Sequence, residues 1–180
     1  MTPTQSTSYL PDRVVMGLRG ALLSLMMATL PGLGWGADLF VGDRASNFTL
    51  KSNLRENLRL SEQRGQIVFI TFWAEWCGSC KQQLKDLEGI YNAHKNKGFQ
   101  IWAISLDEDP KEAAFGAREM GISYPVLFDN DHQIAKVYEV NDIPSAVIVD
   151  RDGTIRYVSQ DYNANVLSEY KNQVEKLVNE

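Results

Sequence analysis

Two cysteines that directly follow an apolar segment constrain the fold of this chain more than any other feature. Cys77 and Cys80 are the only cysteines among the 180 residues. The preceding residues, 67–73, are almost all apolar and rich in β-branched and aromatic side chains, which is typical of a central strand buried on both faces. A helical pattern begins at Gly78. We therefore predict that a strand delivers both cysteines to the first turn of a helix.

This placement suits thiol–disulfide exchange. The N-terminus of a helix favours a thiolate, and the thiolate is the species that attacks a disulfide. Cys77 is expected at the exposed first turn, where it can attack the disulfide of a partner protein. Cys80 follows about one turn later, partly beneath Cys77, and can resolve the resulting mixed disulfide.

Three other interpretations of the cysteine pair remain open. A structural disulfide across two residues closes too small a loop to stabilise a fold much. A zinc site needs two more ligands, and the only histidines, His94 and His132, are far apart in sequence. The cysteines can also be two unpaired core thiols. Of the nearby charges, Lys81 is expected to be a solvated helix residue and Glu75 an exposed charge.

The segment around the cysteines resembles the active site of a known superfamily. The sequence Trp73-Ala74-Glu75-Trp76-Cys77-Gly78-Ser79-Cys80-Lys81 is similar to the WAEWCGPCK segment of thioredoxins. The chain from about Phe40 onward resembles the TlpA/ResA-like branch of extracytoplasmic thiol–disulfide oxidoreductases, and residues 41–50 are similar to the opening of that branch. Two positions depart from thioredoxin: Ser79 replaces the usual proline, and Thr71 replaces a buried aspartate.

The resemblance implies an α/β thioredoxin fold: a central mixed β-sheet flanked by helices, with a mid-domain helix–strand insertion. The order of predicted elements agrees with that fold. The strands are predicted at residues 67–73, 99–106, 124–128, 145–149 and 154–158. The helices are predicted at residues 78–97, 110–120, 133–138, where Asp131 can cap, and 165–178.

The resemblance also assigns further site residues. Ile143 and Pro144 match the proline segment that is cis in this superfamily and that offers backbone groups to an extended substrate. Trp76 matches a ring that shields the site and contacts partners. Glu108 matches a loop acid that takes part in proton transfer in ResA-like proteins. The redox-active disulfide itself, Cys77–Cys80, is the only redox group implied, with no separate cofactor and no metal.

Several functions follow from the resemblance. The first is a disulfide reductase for exported proteins, as in cytochrome c maturation or copper-site assembly, supplied by a membrane thiol donor of the DsbD type and acting as a monomer. The alternative is a copper metallochaperone that binds Cu(I) through Cys77 and Cys80. A third is a peroxiredoxin-type peroxidase, which needs a threonine where this chain has Ala74.

The N-terminus predicts export. Residues 1–36 contain Arg13 and Arg19, an uncharged apolar stretch and then small residues, which is the pattern of a signal peptide or, if it is retained, of a membrane anchor. The thioredoxin-like domain is expected to span residues 38–180 in the periplasm, an oxidising compartment. The net charge of −5 argues against a nucleic-acid-binding function.

Overall fold

The computed structural model describes residues 41–180. The expected signal or anchor segment, residues 1–36, therefore lies outside the described residues. None of the helices formed by residues 41–180 has the length and apolar character required to cross a membrane.

The described residues form seven strands and four α-helices. The strands are β1 Thr49–Lys51, β2 Asn57–Arg59, β3 Ile67–Trp73, β4 Phe99–Ser105, β5 Val126–Phe128, β6 Ser145–Val149 and β7 Ile155–Ser159. The helices are α1 Gly78–His94, α2 Pro110–Glu119, α3 Gln133–Val137 and α4 Ala164–Val178.

Five of the strands form the central mixed sheet, in the order β5-β4-β3-β6-β7. The central strand β3 pairs in parallel with β4 and antiparallel with β6. The insertion, α2 followed by β5, adds β5 as a parallel edge strand beside β4. Strands β1 and β2 form a separate antiparallel pair. The predicted α/β thioredoxin fold with a mid-domain insertion is confirmed.

Both faces of the sheet are covered, which explains the apolar character of β3. All seven residues of β3 are buried. Because successive side chains of a strand point to opposite faces, Phe69 and Trp73 pack with α1, α2 and α4, whereas Ile70 and Phe72 pack with α3 and the segment before β3. Trp73 of β3 and Trp102 of β4 are both fully buried.

Side-chain caps set the starts of the helices. Asp109 caps α2, as its sequence pattern indicates, by accepting a 2.9 Å hydrogen bond from the Lys111 N–H. Asp131, expected to cap α3, accepts a 3.4 Å hydrogen bond from the N–H of Gln133, the first residue of the helix, although His132 is the N-cap residue. The buried carboxylate of Asp129 accepts two further hydrogen bonds, from the N–H groups of Ile134 (3.1 Å) and Ala135 (2.8 Å). Asp129 comes directly after β5, so the end of the strand and the start of the helix are tied together.

Candidate active site

The two cysteines lie at the junction of β3 and α1. Cys77 is the N-cap residue of α1, and its Sγ accepts a 3.2 Å hydrogen bond from the N–H of Cys80. The two sulfurs form a disulfide. Cys77 is 7% exposed to solvent, whereas Cys80 is fully buried. The sulfur of Cys77 is therefore the one that a partner protein can reach.

Ser79 places a hydroxyl beside the reachable sulfur. Its Oγ lies 3.5 Å from the Sγ of Cys77. A proline at this position has no side-chain donor. The serine thus provides a hydrogen-bond donor that can also serve a thiolate on Cys77 once the disulfide is reduced.

The peptide bond between Ile143 and Pro144 is cis, as predicted. It directly precedes β6, which pairs with β3, and this pairing brings the loop to the cysteines. The carbonyl oxygen of Ile143 lies 3.9 Å from the Sγ of Cys77. A backbone acceptor therefore lies at the point where the chain of a partner would pass the reactive sulfur.

An open cleft of about 750 Å³ extends from this point. Trp76 and Ile143 line it on the side of the cysteines, and the side chain of Trp76 is 76% exposed. A large exposed ring next to a concave surface is typical of a site that contacts partners. The structure thus brings together three of the predicted residues, Trp76, Ile143 and Cys77.

Glu108 lies on the same cleft but does not contact the sulfurs. Its side chain is exposed, and its backbone carbonyl accepts a 2.7 Å hydrogen bond from Asn130. The hydrogen bonds among residues 41–180 include none to the Glu108 carboxylate. A proton can pass between Glu108 and the cysteines only through water or through a partner.

The acid that contacts the cysteine segment is Asp107, which the sequence analysis did not identify. Asp107 is buried, and both of its carboxylate oxygens accept the N–H of Glu75 at 3.0 Å. The hydroxyl of Ser105 donates a further hydrogen bond of 2.9 Å. Asp107 follows β4, which is parallel to β3, so the C-terminal ends of both strands meet there. The available sequence signal was the position of Asp107, directly after a strand predicted to lie in the same sheet as the strand before the cysteines.

A neutral network of hydrogen bonds lies behind the cysteines. The buried hydroxyl of Thr71 donates to the side-chain oxygen of Gln83 (2.7 Å), and the amide of Gln83 donates to the Tyr170 hydroxyl (3.0 Å). Tyr170 donates in turn to Ser159 (3.3 Å). Burial raises the pKa of Tyr170 to about 12. Thr71, at the position where thioredoxins have an acid, is therefore the first member of a chain of uncharged groups.

The expectation that Glu75 is an exposed charge and Lys81 a solvated one is wrong. The Lys81 Nζ lies 2.5 Å from the Glu75 Oε1, and the two side chains are only 36% and 33% exposed. The turn that carries Cys77 brings Glu75 back over the first turn of α1, and the two charges meet there. Both residues flank the cysteine pair in sequence and form a single ion pair in the structure.

Neither histidine contacts the cysteines. His94 is half-buried against Phe99. His132 lies at the start of α3, and its Nε2 is 2.8 Å from the Leu106 carbonyl oxygen. Within residues 41–180, no group of three or more His, Cys, Asp or Glu residues is arranged to hold a metal ion.

Comparison with known proteins gives a consistent picture. The model of the AhpC/TSA family matches residues 41–158, more than half of the chain. The chain is 28% identical over 118 residues to the thiol-disulfide oxidoreductase ResA of Geobacillus kaustophilus, which covers 66% of this chain and 68% of that protein. It is 26% identical over 134 residues to ResA of Bacillus subtilis, covering 74% and 75%.

Solved structures share the fold. A putative thiol:disulfide interchange protein DsbE from Chlorobium tepidum superposes with a TM-score of 0.74 at 27% identity, covering 78% of this chain and 99% of that one. A putative protein disulfide isomerase from Bacteroides thetaiotaomicron gives the same TM-score, 0.74, at 27% identity, covering 79% and 92%. The similarity to both structures lies at the level of the whole domain.

Proposed function

The chain belongs to the AhpC/TSA family, and we propose that it is an extracytoplasmic thiol–disulfide oxidoreductase that reduces disulfides in exported proteins. The observation that carries the proposal is the asymmetry of the cysteine pair. Cys77 is reachable at the start of α1 and faces the Ile143 carbonyl, whereas Cys80 is fully buried beneath it. That asymmetry separates the attacking sulfur from the resolving one.

The reaction proceeds in two exchanges. In the reduced protein, the Cys77 thiolate attacks one sulfur of the partner's disulfide; an S–S bond forms between the two proteins, and the partner's other sulfur leaves as a thiolate that takes up a proton. Cys80 then loses its proton and attacks the Cys77 sulfur. The Cys77–Cys80 disulfide forms, and the partner leaves with two thiols and two more electrons.

The protein must then be reduced again before the next cycle. In an oxidising compartment the glutathione pool does not supply these electrons, so a second dithiol protein has to exchange with the Cys77–Cys80 disulfide. We assign this role to a membrane thiol donor of the DsbD type. Partner proteins in cytochrome c maturation or copper-site assembly are examples of substrates that the proposal includes.

The proposed location rests on the N-terminal sequence. Cleavage after Gly36 leaves a mature protein that begins at Ala37 and is released into the periplasm. Mass spectrometry of the protein from a periplasmic extract should give the mass of residues 37–180. Full-length chain in washed membranes would instead show that the segment is retained as an anchor.

Two assays on the purified domain test the activity. Reduced protein should reduce the disulfides of insulin catalytically when dithiothreitol regenerates it, and the Cys77→Ser variant should not. A titration with Cu(I) in parallel tests the copper-chaperone alternative. Tight binding of one Cu(I) ion without insulin reduction would overturn the proposal in favour of that alternative.

A further inference from the structure

The two residues of the Glu75–Lys81 ion pair flank the cysteine pair in the sequence. Glu75 is two residues before Cys77, and Lys81 directly follows Cys80. In the fold the two charged groups lie 2.5 Å apart at the start of α1. The backbone N–H of Lys81 donates a hydrogen bond to the carbonyl oxygen of Cys77. A cation at this place would add to the attraction of the helix N-terminus for a thiolate, and the carboxylate opposes it.

The carboxylate of Glu75 occupies space that a glycine leaves open. A Cβ atom added to Gly116, in the middle of α2, would lie 1.9 Å from the Glu75 Oε2 and 2.6 Å from its Cδ. Glycine is unfavourable in a helix interior. The glycine lets the Glu75 carboxylate lie in this position; a Cβ at residue 116 would require the carboxylate to shift.

Both ends of Glu75 are therefore fixed. Its N–H is held by the carboxylate of Asp107, and its side chain is enclosed between Lys81 and Gly116. The Glu75 Oε2 is buried and has no hydrogen-bond partner among the described residues. The Oε2 end of the carboxylate is thus shielded from solvent, while a third of the side chain is exposed, and the Nζ of Lys81 is the group that balances its charge.

An ion pair of this kind contributes little to stability, because the cost of desolvation offsets much of the attraction. Its effect on a nearby third charge is different. With both members present, the pair itself contributes no net charge at the start of α1. With either one removed, an uncompensated charge of known sign remains beside the site at which the Cys77 thiolate forms.

We propose that Glu75 is a positioning residue that cancels the charge of Lys81 at the start of α1 and so limits the stabilisation of the Cys77 thiolate. The inference rests on the proposed function, because it concerns the same sulfur. Since a strongly stabilised thiolate makes a disulfide oxidising, the carboxylate of Glu75 favours the reducing direction. Gly116 is the second part of the arrangement, because it admits the carboxylate.

A double-mutant cycle that removes each charge, called the charge cycle below, tests this proposal. The variants are Glu75→Gln, Lys81→Gln and the double variant, each reduced and then alkylated with iodoacetamide over a range of pH. We expect the Glu75→Gln variant to react about threefold faster at a pH below the midpoint of the wild-type profile, and the Lys81→Gln variant about threefold more slowly. The double variant should return to the wild-type rate. The other acids near the site, Asp107, Glu108, Glu112 and Asp142, are the same in all four proteins.

A purely structural role predicts a different pattern. If Glu75 and Lys81 only held the turn in place, both single variants would change in the same direction and the double variant would not recover. That result, or three unchanged profiles, would overturn the proposal. The equilibrium with glutathione provides a second measurement: the Glu75→Gln variant should be more easily reduced than the wild type, and the Lys81→Gln variant less easily.

The glycine provides an independent test that leaves every charge in place. The Gly116→Ala variant should displace the Glu75 carboxylate and move the alkylation profile toward that of Glu75→Gln. Gly89→Ala is the matched control, because Gly89 also lies inside a helix but has open space around its Cβ position. An unchanged profile in Gly116→Ala would contradict the inference. Insulin reduction by the wild type is scored separately, so failure of the proposed function is distinguishable from failure of the charge cycle.

Discussion

The hydroxyl of Thr71 donates a 2.7 Å hydrogen bond to the side-chain oxygen of Gln83. Both groups are fully buried, one in the central strand and the other in the helix that carries the cysteines. Because Gln83 also donates to Tyr170, the polar groups form a continuous chain from β3 through α1 to α4. The polar groups behind the cysteines are therefore joined by hydrogen bonds, and this chain of groups contains no acid.

Tyr170 should make the stability of the protein depend on alkaline pH. Burial raises its pKa from 10.0 to about 12, so its neutral form is favoured in the folded state. Its contribution is complete below the unfolded pKa and is lost as the pH rises from 10 toward 12, by about 1.4 kcal/mol at pH 11. Urea unfolding of the oxidised protein at pH 8 and pH 11 measures the combined loss from Tyr170 and the other buried tyrosines.

The Tyr170→Phe variant isolates the effect. At pH 8 it should lose about 1–2 kcal/mol, because the amide of Gln83 loses its acceptor, and its further decline at pH 11 should be smaller than that of the wild type. Tyr91→Phe is the control, since the Tyr91 hydroxyl bonds to none of the described residues. Equal declines in the wild type and Tyr170→Phe would contradict the prediction; other buried tyrosines, such as Tyr138, whose pKa burial also raises, contribute equally to both.

Asp107 should be required for the geometry of the cysteine turn. In the Asp107→Ala variant, the N–H of Glu75 and the hydroxyl of Ser105 lose a buried acceptor, which should cost about 2–3 kcal/mol of unfolding free energy. Disulfide exchange should slow as well, because the turn is no longer held by the hydrogen bond from the Glu75 N–H to the Asp107 carboxylate. Urea unfolding and the rate of insulin reduction measure the two effects.

A conservative variant, Asp107→Asn, shows how much of the effect comes from losing the hydrogen-bond acceptor. Asp107→Asn keeps one side-chain oxygen as acceptor and should recover part of both the stability and the rate. If Asp107→Ala were as stable and as fast as the wild type, the proposed anchoring of the turn would be wrong.

The five strands of the central sheet and the cysteine site could be predicted because their signals are local, whereas the three-residue strands β1 and β2 were not among the predicted strands. The almost wholly apolar segment predicted the limits of β3, residues 67–73, as the structure has them. The edge strand was less well defined: residues 124–128 were expected, but β5 contains only Val126–Phe128. Pro125 lacks an N–H for the ladder, and the hydroxyl of Tyr124 bonds the carbonyl of Leu84 in α1 instead.

The polar interior could not be predicted in the same way. Gln83 is a polar residue in a helix whose other buried residues include Leu84 and Leu87, so its burial follows only from its partners on β3 and α4. Glu75 presents the same difficulty, because its environment depends on Gly116, about forty residues later. Such long-range contacts have no periodic signature in the sequence.

The roles of the two cysteines can be tested by trapping. With Cys80→Ser, Cys77 can still attack a partner but nothing resolves the mixed disulfide, so covalent complexes should accumulate. With Cys77→Ser, the buried Cys80 should trap none. Non-reducing electrophoresis of cell extracts measures the complexes. Faster alkylation of Cys80 than of Cys77 in the reduced wild type would show that the assignment is reversed.

Glu108 should affect proton transfer without affecting stability. Its carboxylate is exposed on the cleft beside Trp76 and bonds to none of the described residues, so Glu108→Gln removes no packing. Because the chain from Thr71 to Tyr170 offers no acid and the Asp107 carboxylate is already bonded to the Glu75 N–H and the Ser105 hydroxyl, we expect the Cys80 proton to leave toward the cleft, through water to Glu108. The variant should therefore shift the pH dependence of exchange or slow it by up to roughly 10²-fold.

The matched control is Glu112→Gln, which removes the same charge from another part of the same cleft. If Glu108 accepts the proton, only its own variant should slow the resolving step, measured by stopped-flow decay of a mixed disulfide between Cys77 and a small thiol. If both variants change the rate equally, the cleft acts only through its overall charge. Unchanged rates in Glu108→Gln would leave water as the proton acceptor, because a solvated carboxylate without a partner in the fold would then have no part in the exchange.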